Sequence, residues 1–166
     1  MQRPSPRTSP AATLTDQLEE QAMTNDLDED GPKLKVRDLM APHPVTIPAE
    51  CSLAQVAETL AEYDIRGLPV VDLGGAVIGV ISQTDIVRLR AGSLPTTDWH
   101  GLLVRDLMTQ PAITVPASAS LQDASRLMTE HGIHRLVVVS EHDGGPVGLI
   151  SDSDIVREVA ALTQDD

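Results

Sequence analysis

Phenylalanine is absent, and one Trp and one Tyr bring the aromatic share to 1% of 166 residues. Any core must therefore be built from Leu, Val, Ile, Ala and Met, and the aromatic platforms on which single-stranded nucleic acid stacks are missing. Basic residues are scarce too: 12 Lys and Arg stand against 25 Asp and Glu, a net charge of −13. That sign opposes tracking along a phosphate backbone, so nucleic acid is excluded as the expected partner. Cysteine occurs once, as Cys51, which rules out an intramolecular disulfide and every multi-cysteine zinc site and suits a reducing compartment. No stretch approaches the roughly 18 apolar residues of a membrane span, and the N-terminus lacks the apolar segment of a signal peptide. The expectation is a soluble, cytoplasmic protein with no membrane partner. What is present is a 41% hydrophobic share, enough for one domain of ordinary size or two small ones.

Residues 1–32 stand apart, with prolines and small residues first, acids afterwards, and no basic residue between Arg7 and Lys33. Such a stretch buries too little apolar surface to offset the entropy of ordering, so a disordered acidic tail is expected, with a transient helix at most over 15–23. Met23 offers a second start beside Met1. Past the tail the chain repeats itself. VRDLM at 36–40 recurs at 104–108, and residues 36–88 slide onto 104–157 with one inserted residue, giving 23 identities over 53 aligned pairs. The divisions read from this are a first repeat at 33–92, a linker at 93–103 and a second repeat at 104–162. Each copy is too small to be comfortable alone, so the two are expected to pack on a shared apolar face with approximate two-fold symmetry, the seam being the most buried surface.

Within each copy the local signals agree. Thr46-Ile47 is a short extended piece closed by Pro48, and Ser52 with Gln55 forms a capping box ahead of Leu53, Val56, Ala57 and Leu60 at helical spacing. Residues 68–72 and 76–81 read as a hairpin turning on Gly74-Gly75, and a helix follows from about Thr84. The second copy gives the same series: a strand at 113–115, a helix at 121–131 capped by Ser120, strands at 136–139 and 147–150, and a helix over 153–162. The fold class is α/β, more narrowly α+β, with the order β-α-β-β-α twice.

Two patterns carry chemistry. Gly79-Val-Ile-Ser-Gln-Thr-Asp85 is matched by Gly148-Leu-Ile-Ser-Asp-Ser-Asp154, and each places two hydroxyls and a carboxylate where a strand runs into a helix. A carboxylate there can accept two hydrogen bonds from a vicinal diol, the usual grip on a ribose. The same side chains would also serve merely to cap the helix. The second pattern is basic: Arg66 ahead of Leu68-Pro69, and His134-Arg135 ahead of Leu136-Val137. Such groups at the entrance of an apolar strand make sense facing an anion, or as surface charges beside acidic neighbours. Other signals are weaker. His131 and His134 are three apart and His142 follows, but the first two straddle Gly132 between a helix end and a strand and need not share a face, which argues against a metal site. Gly74-Gly-Ala-Val-Ile-Gly79 leads into a strand where a dinucleotide fingerprint needs a helix. Cys51 lacks an evident base, and no nucleophile-elbow context appears, so no catalytic residues are assigned. Met40 and Met108 are expected to pack at hinges, and Trp99 to cover the seam.

Residues 34–160 resemble the CBS domain, named after cystathionine β-synthase, in the tandem arrangement called a Bateman module. VRDLM, IRGLPVVD or IHRLVVVS, and GVISQTDIVR or GLISDSDIVR carry the resemblance. It implies a regulatory, non-enzymatic module that binds AMP, ADP or ATP in clefts between the repeats, passes occupancy to an unknown partner, and pairs as a homodimer through the helices at 53–63 and 121–131. It implies that Asp85 and Asp154 hold ribose hydroxyls, that Ser82, Thr84, Ser151 and Ser153 line phosphate or sugar, and that Arg66, His134 and Arg135 meet phosphates. Pseudo-symmetry would join Asp85 with His134 and Arg135, and Asp154 with Arg66. Thr46-Ile47 and Thr114-Val115 are placed for adenine. The second copy departs from the family pattern with Val137 for the usual Pro, Ser140 for the usual Asp and a longer turn at 141–145, which argues against two equal affinities. Two alternatives stand beside this reading: a ligand-free interaction module, and a sensor of S-adenosylmethionine or NAD.

Overall fold

The computed structural model describes residues 33–92 and 101–163. The acidic tail, with the helix expected at 15–23, and the greater part of the linker, with Trp99, lie outside the described residues. In the first repeat, α1 (Val36–Leu39) is followed by β1 (Ala41–Pro42), β2 (Ile47–Pro48), α2 (Leu53–Glu62), β3 (Gly67–Val71), β4 (Val77–Ser82) and α3 (Gln83–Ala91). In the second, α4 (Val104–Leu107) precedes β5 (Thr114–Pro116), α5 (Leu121–His131), β6 (Arg135–Val139), β7 (Pro146–Ser151) and α6 (Asp152–Leu162). The β-α-β-β-α series is therefore present twice.

Local chemistry explains the helix starts. Ser52 accepts from the Gln55 backbone N–H while Gln55 Oε1 takes the Ser52 N–H at 2.9 Å, and Ser120 with Asp123 repeats the device for α5. Gly132 closes α5 in the left-handed conformation at φ 60°, where a side chain would be strained. The Ser120 hydrogen bonds hold the Asp123 carboxyl below the ordinary carboxylate range. Each hairpin is antiparallel, Leu68 facing Ile81 and Leu136 facing Ile150, and β2 and β5 join β3 and β6 in parallel.

The shared apolar face expected at a seam is replaced by two separate cores. One gathers Leu53, Val56, Leu60, Leu68, Val70 and Ile81 of the first repeat with Val104 of the second. The other gathers Val115, Ala124, Met128, Leu136, Val138 and Ile150 of the second with Val36 of the first. The leading VRDLM segments thus change places. The Val36 and Arg37 N–H groups donate to Ala119 and Ala117, while those of Val104 and Arg105 donate to Cys51 and Ala49. β1 completes the sheet of the other repeat, in the order β1-β7-β6-β5, while Thr109 bridges Val80 beside the sheet β2-β3-β4. The Asp of each segment caps its own short helix: Asp38 takes the Lys35 N–H at 2.7 Å and Asp106 that of Leu103 at 3.2 Å. The exchange is reciprocal, and this is the form the pseudo-two-fold symmetry takes. Met40 and Met108 lie in it, against Gly148 and Gly79.

The helices expected to have partly apolar faces, α2 and α5, bury Leu53, Val56 and Leu60 and Ala124 and Met128 and leave Ala54, Ala57, Leu121 and Leu127 half-buried. α3 and α6, with no buried residue, expose Val87, Val156, Val159 and Leu162. Tyr63, past the end of α2, is exposed as well.

Candidate functional site

Each repeat ties its basic entrance to the start of its last helix by a backbone hydrogen bond. The Gln83 N–H donates to the Arg66 carbonyl at 2.9 Å, and the Asp152 N–H donates to the His134 carbonyl at 3.0 Å. Strand entrance and helix N-terminus are thereby fixed side by side, so the cationic side chains, the hydroxyls and the helix's free N–H groups share one place.

Both repeats contribute those places to a single cleft of about 820 Å³. The first repeat brings Arg66, Ser82, Thr84, Asp85 and Arg88; the second brings His134, Arg135, Ser151, Asp152 and Ser153; Leu68, Pro69, Val80, Leu136, Val137 and Leu149 form apolar walls. Three guanidiniums face two carboxylates and one imidazole, a local surplus of positive charge in a chain of net −13. Arg66, Arg88 and Arg135 form no ion pair among the described residues. Such a cleft can hold an anion against fixed cations, with apolar surface nearby for a flat heterocycle.

The two repeated carboxylates differ. Asp85 Oδ2 accepts from the Ser82 N–H at 2.8 Å and from Ser82 Oγ at 3.0 Å, whereas Oδ1 has no partner among the described residues. Asp154 Oδ2 accepts the corresponding pair from Ser151, both at 2.8 Å, and Oδ1 is taken by the Arg157 guanidinium. Burial works to raise the Asp154 carboxyl, but the Ser151 hydrogen bonds and Arg157 outweigh it and hold the group below the ordinary range. Asp154 lies outside the large cleft, in a shallow recess with Asp38, Leu39, Arg157 and Glu158. Asp85 thus shares a cleft with Arg66, His134 and Arg135, whereas Asp154 and Arg66 line different recesses. The Asp154 carboxylate is engaged by Ser151 at the start of its own helix and by Arg157.

Thr46, Ile47, Thr114 and Val115 are not among the cleft walls. Ile47 and Val115 are buried in the two cores, and Thr46 and Thr114 are half-buried at the parallel strands. Two cleft residues went unremarked in the sequence. Arg88 lies three residues past Asp85 in a DIVR stretch that recurs at 154–157. Asp152 stands where the first repeat has Gln83, and its Oδ2 is 2.8 Å from His134 Nδ1. That hydrogen bond holds the Asp152 carboxyl below the ordinary range. Among the described residues no group of three His, Cys, Asp or Glu side chains is placed to hold a metal ion, and no helix is long and apolar enough to cross a membrane.

A family model for the CBS domain matches residues 36–92 and 104–161. The inosine-5′-monophosphate dehydrogenase of Bifidobacterium longum is 33% identical over 119 residues, 71% of this chain but 21% of the enzyme. The chain therefore spans about a fifth of that relative's length. Among solved structures, CBSX2 in complex with AMP, a protein of Arabidopsis thaliana, is 32% identical with a TM-score of 0.66, covering 78% of this chain and 98% of that one. The CBS domain pair of protein MJ0100, in complex with 5′-methylthioadenosine and S-adenosyl-L-methionine, is 25% identical with a TM-score of 0.67, over 78% of this chain and 98% of that one.

Proposed function

The chain belongs to the CBS-domain family, carrying the domain twice, and from that premise we propose that it is a non-catalytic regulatory module whose cleft binds one of the adenine nucleotides AMP, ADP or ATP. The observation that carries this is the grouping, in one cleft and from both repeats, of Asp85 with Arg66, Arg88, His134 and Arg135. The free oxygen of Asp85 suits a ribose hydroxyl, the cations suit phosphate, and Ser82, Thr84, Ser151 and Ser153 supply hydroxyls between them. A ligand touching both repeats favours one relative arrangement of them, and a regulated partner reads that arrangement. The neighbour bound to AMP supports the choice of nucleotide.

A second reading rests on the neighbour bound to 5′-methylthioadenosine and S-adenosyl-L-methionine. The three guanidiniums favour phosphate over a cationic sulfonium, because at contact distance they are not screened as distant surface charges are. The test is equilibrium binding of the full chain to AMP, ADP, ATP, NAD and S-adenosylmethionine, with thermal stabilisation read in parallel. Micromolar binding of a phosphorylated adenosine is expected. Preference for S-adenosylmethionine would transfer the assignment to the second reading, and no stabilisation by any of them at millimolar concentration would leave a ligand-free interaction module.

The same proposal places the module in the cytoplasm as a homodimer. Val87 and Val156 hold equivalent places in the two repeats and are both 65% exposed, which suits a self-complementary face formed by α3 and α6. Light scattering should return a dimer mass, and Val87→Asp with Val156→Asp should reduce it to a monomer. A monomer mass for the unaltered chain would overturn this assembly.

A further inference from the structure

The two repeats differ in charge at aligned places. Arg66 and Gln83 of the first correspond to His134 and Asp152 of the second; Arg66, His134 and Asp152 line the cleft, while the Gln83 amide donates to the Ile65 carbonyl at 3.2 Å. The first side thus brings a permanent cation and no carboxylate at this place, whereas the second brings a carboxylate bonded to the His134 imidazole at 2.8 Å. The His134 side chain is 87% exposed and that of Asp152 51%, so both are open to whatever enters.

From this we infer that the His134–Asp152 pair selects ligands by their negative charge, Asp152 penalising phosphates that reach the second side and protonation of His134 relieving the penalty. The inference rests on reading the cleft as the adenosine-ligand site. A ribose resting on Asp85 sends its phosphates across the cleft toward Arg135, His134 and Asp152, and each added phosphate carries more charge within reach of the Asp152 carboxylate. The other charged groups lining the cleft are the guanidiniums of Arg66, Arg88 and Arg135 and the carboxylate of Asp85. Imidazole is the side chain whose charge ordinarily changes between about pH 5 and 8. With His134 neutral the pair contributes one negative charge to the cleft; a proton taken from solvent brings it to zero. A like charge a few ångströms away, at the effective dielectric of a protein surface, changes affinity by about tenfold or more.

The first repeat already carries the informative substitution, since it has Gln83 at this place in a helix that forms. In Asp152→Gln, titration calorimetry of the full chain near pH 8 should show affinity for ATP raised about tenfold, for AMP by less, and for adenosine not at all. On lowering the pH to about 6, the unaltered protein should gain affinity for ATP several-fold relative to His134→Gln. The titration of ATP itself is common to both proteins and cancels in that ratio. Equal responses of adenosine, AMP and ATP to Asp152→Gln would overturn the inference. So would weaker ATP binding in that variant, which would make Asp152 a positioning residue for the His134 ring, or the same pH response in His134→Gln as in the unaltered protein. If the unaltered protein bound none of the three, the reading of the cleft would fall together with the inference.

Discussion

Met40 occupies the space that a side chain at position 148 would need: a Cβ built on Gly148 falls 2.5 Å from Met40 Sδ and 3.0 Å from the Ala41 carbonyl. The same relationship recurs between Met108 and Gly79, where a Cβ meets Met108 Sδ and the Thr109 carbonyl at 2.8 Å. The thioether can bend away but the backbone carbonyl cannot, so the crossing strand would have to shift.

Gly148→Ala and Gly79→Ala should each destabilise the fold by about 1–3 kcal/mol, measured as a shift in denaturant midpoint at constant slope. Stabilities equal to the unaltered chain would mean that the crossing segments do not rest on these strands.

Val36→Ala should weaken the repeat to which Val36 does not belong in sequence. Val36 is fully buried among Val115, Leu136, Val138 and Ile150, so removing its methyl groups costs about 1–2 kcal/mol. Hydrogen exchange should quicken in β6 and β7 before β3 and β4. Loss of protection confined to β3 and β4 would contradict the exchange of segments.

Asp85→Ala and Asp154→Ala should part company. Asp85 keeps a free carboxylate oxygen in the cleft, and its loss should lower nucleotide affinity tenfold or more. Asp154 is bound to Ser151 and Arg157, and its loss should chiefly cost stability, by about 1 kcal/mol for a lost cap. Calorimetry and chemical denaturation on both variants decide it, and the reverse assignment of effects would refute the placement.

Arg66→Ala should weaken ATP and AMP while leaving adenosine nearly unaffected, because only the phosphates reach the guanidinium. If adenosine lost as much affinity as AMP, Arg66 would be supporting the cleft wall and not the anion.

The depressed Asp154 carboxyl has a pH consequence with a definite sign. Its folded value lies below the ordinary one of 3.8, so its ionic contribution to stability is present in full above about pH 5 and is lost as pH falls through the folded value. The stability gap between the unaltered chain and Asp154→Asn should be level from pH 6 to about 8 and should narrow below about pH 4. A gap that persists unchanged at about pH 3 would count against an ionic role.

The long helices and both hairpins were legible because their signals are local: a Ser with Gln or Asp three residues on, apolar residues at helical spacing, a Gly-Gly turn. The exchange of leading segments was not. A four-residue helix and a two-residue strand are too short to show a period, and Ala41 meets Leu149 across nearly the whole folded unit. For the candidate site, repetition pointed to the residue types that Arg66, Asp85, His134 and Arg135 bring to one cleft. It misled where symmetry breaks, since identical DIVR stretches leave Asp85 open to the cleft and close Asp154 on Arg157. Asp152 passed unnoticed because an acid in the first turn of a helix is ordinary and needs no further role.

The exchanged segments also set a schedule. During synthesis the strand at 41–42 emerges well before the strand it pairs with, at 146–151. The first repeat meanwhile lacks Val104, which closes its core. Neither repeat can finish before the other has been made, so the early half must wait with its apolar face uncovered, and long-range closure of this kind slows folding. Two half-chains cut at the linker and made separately would each be incomplete, and would regain the fold only by finding one another.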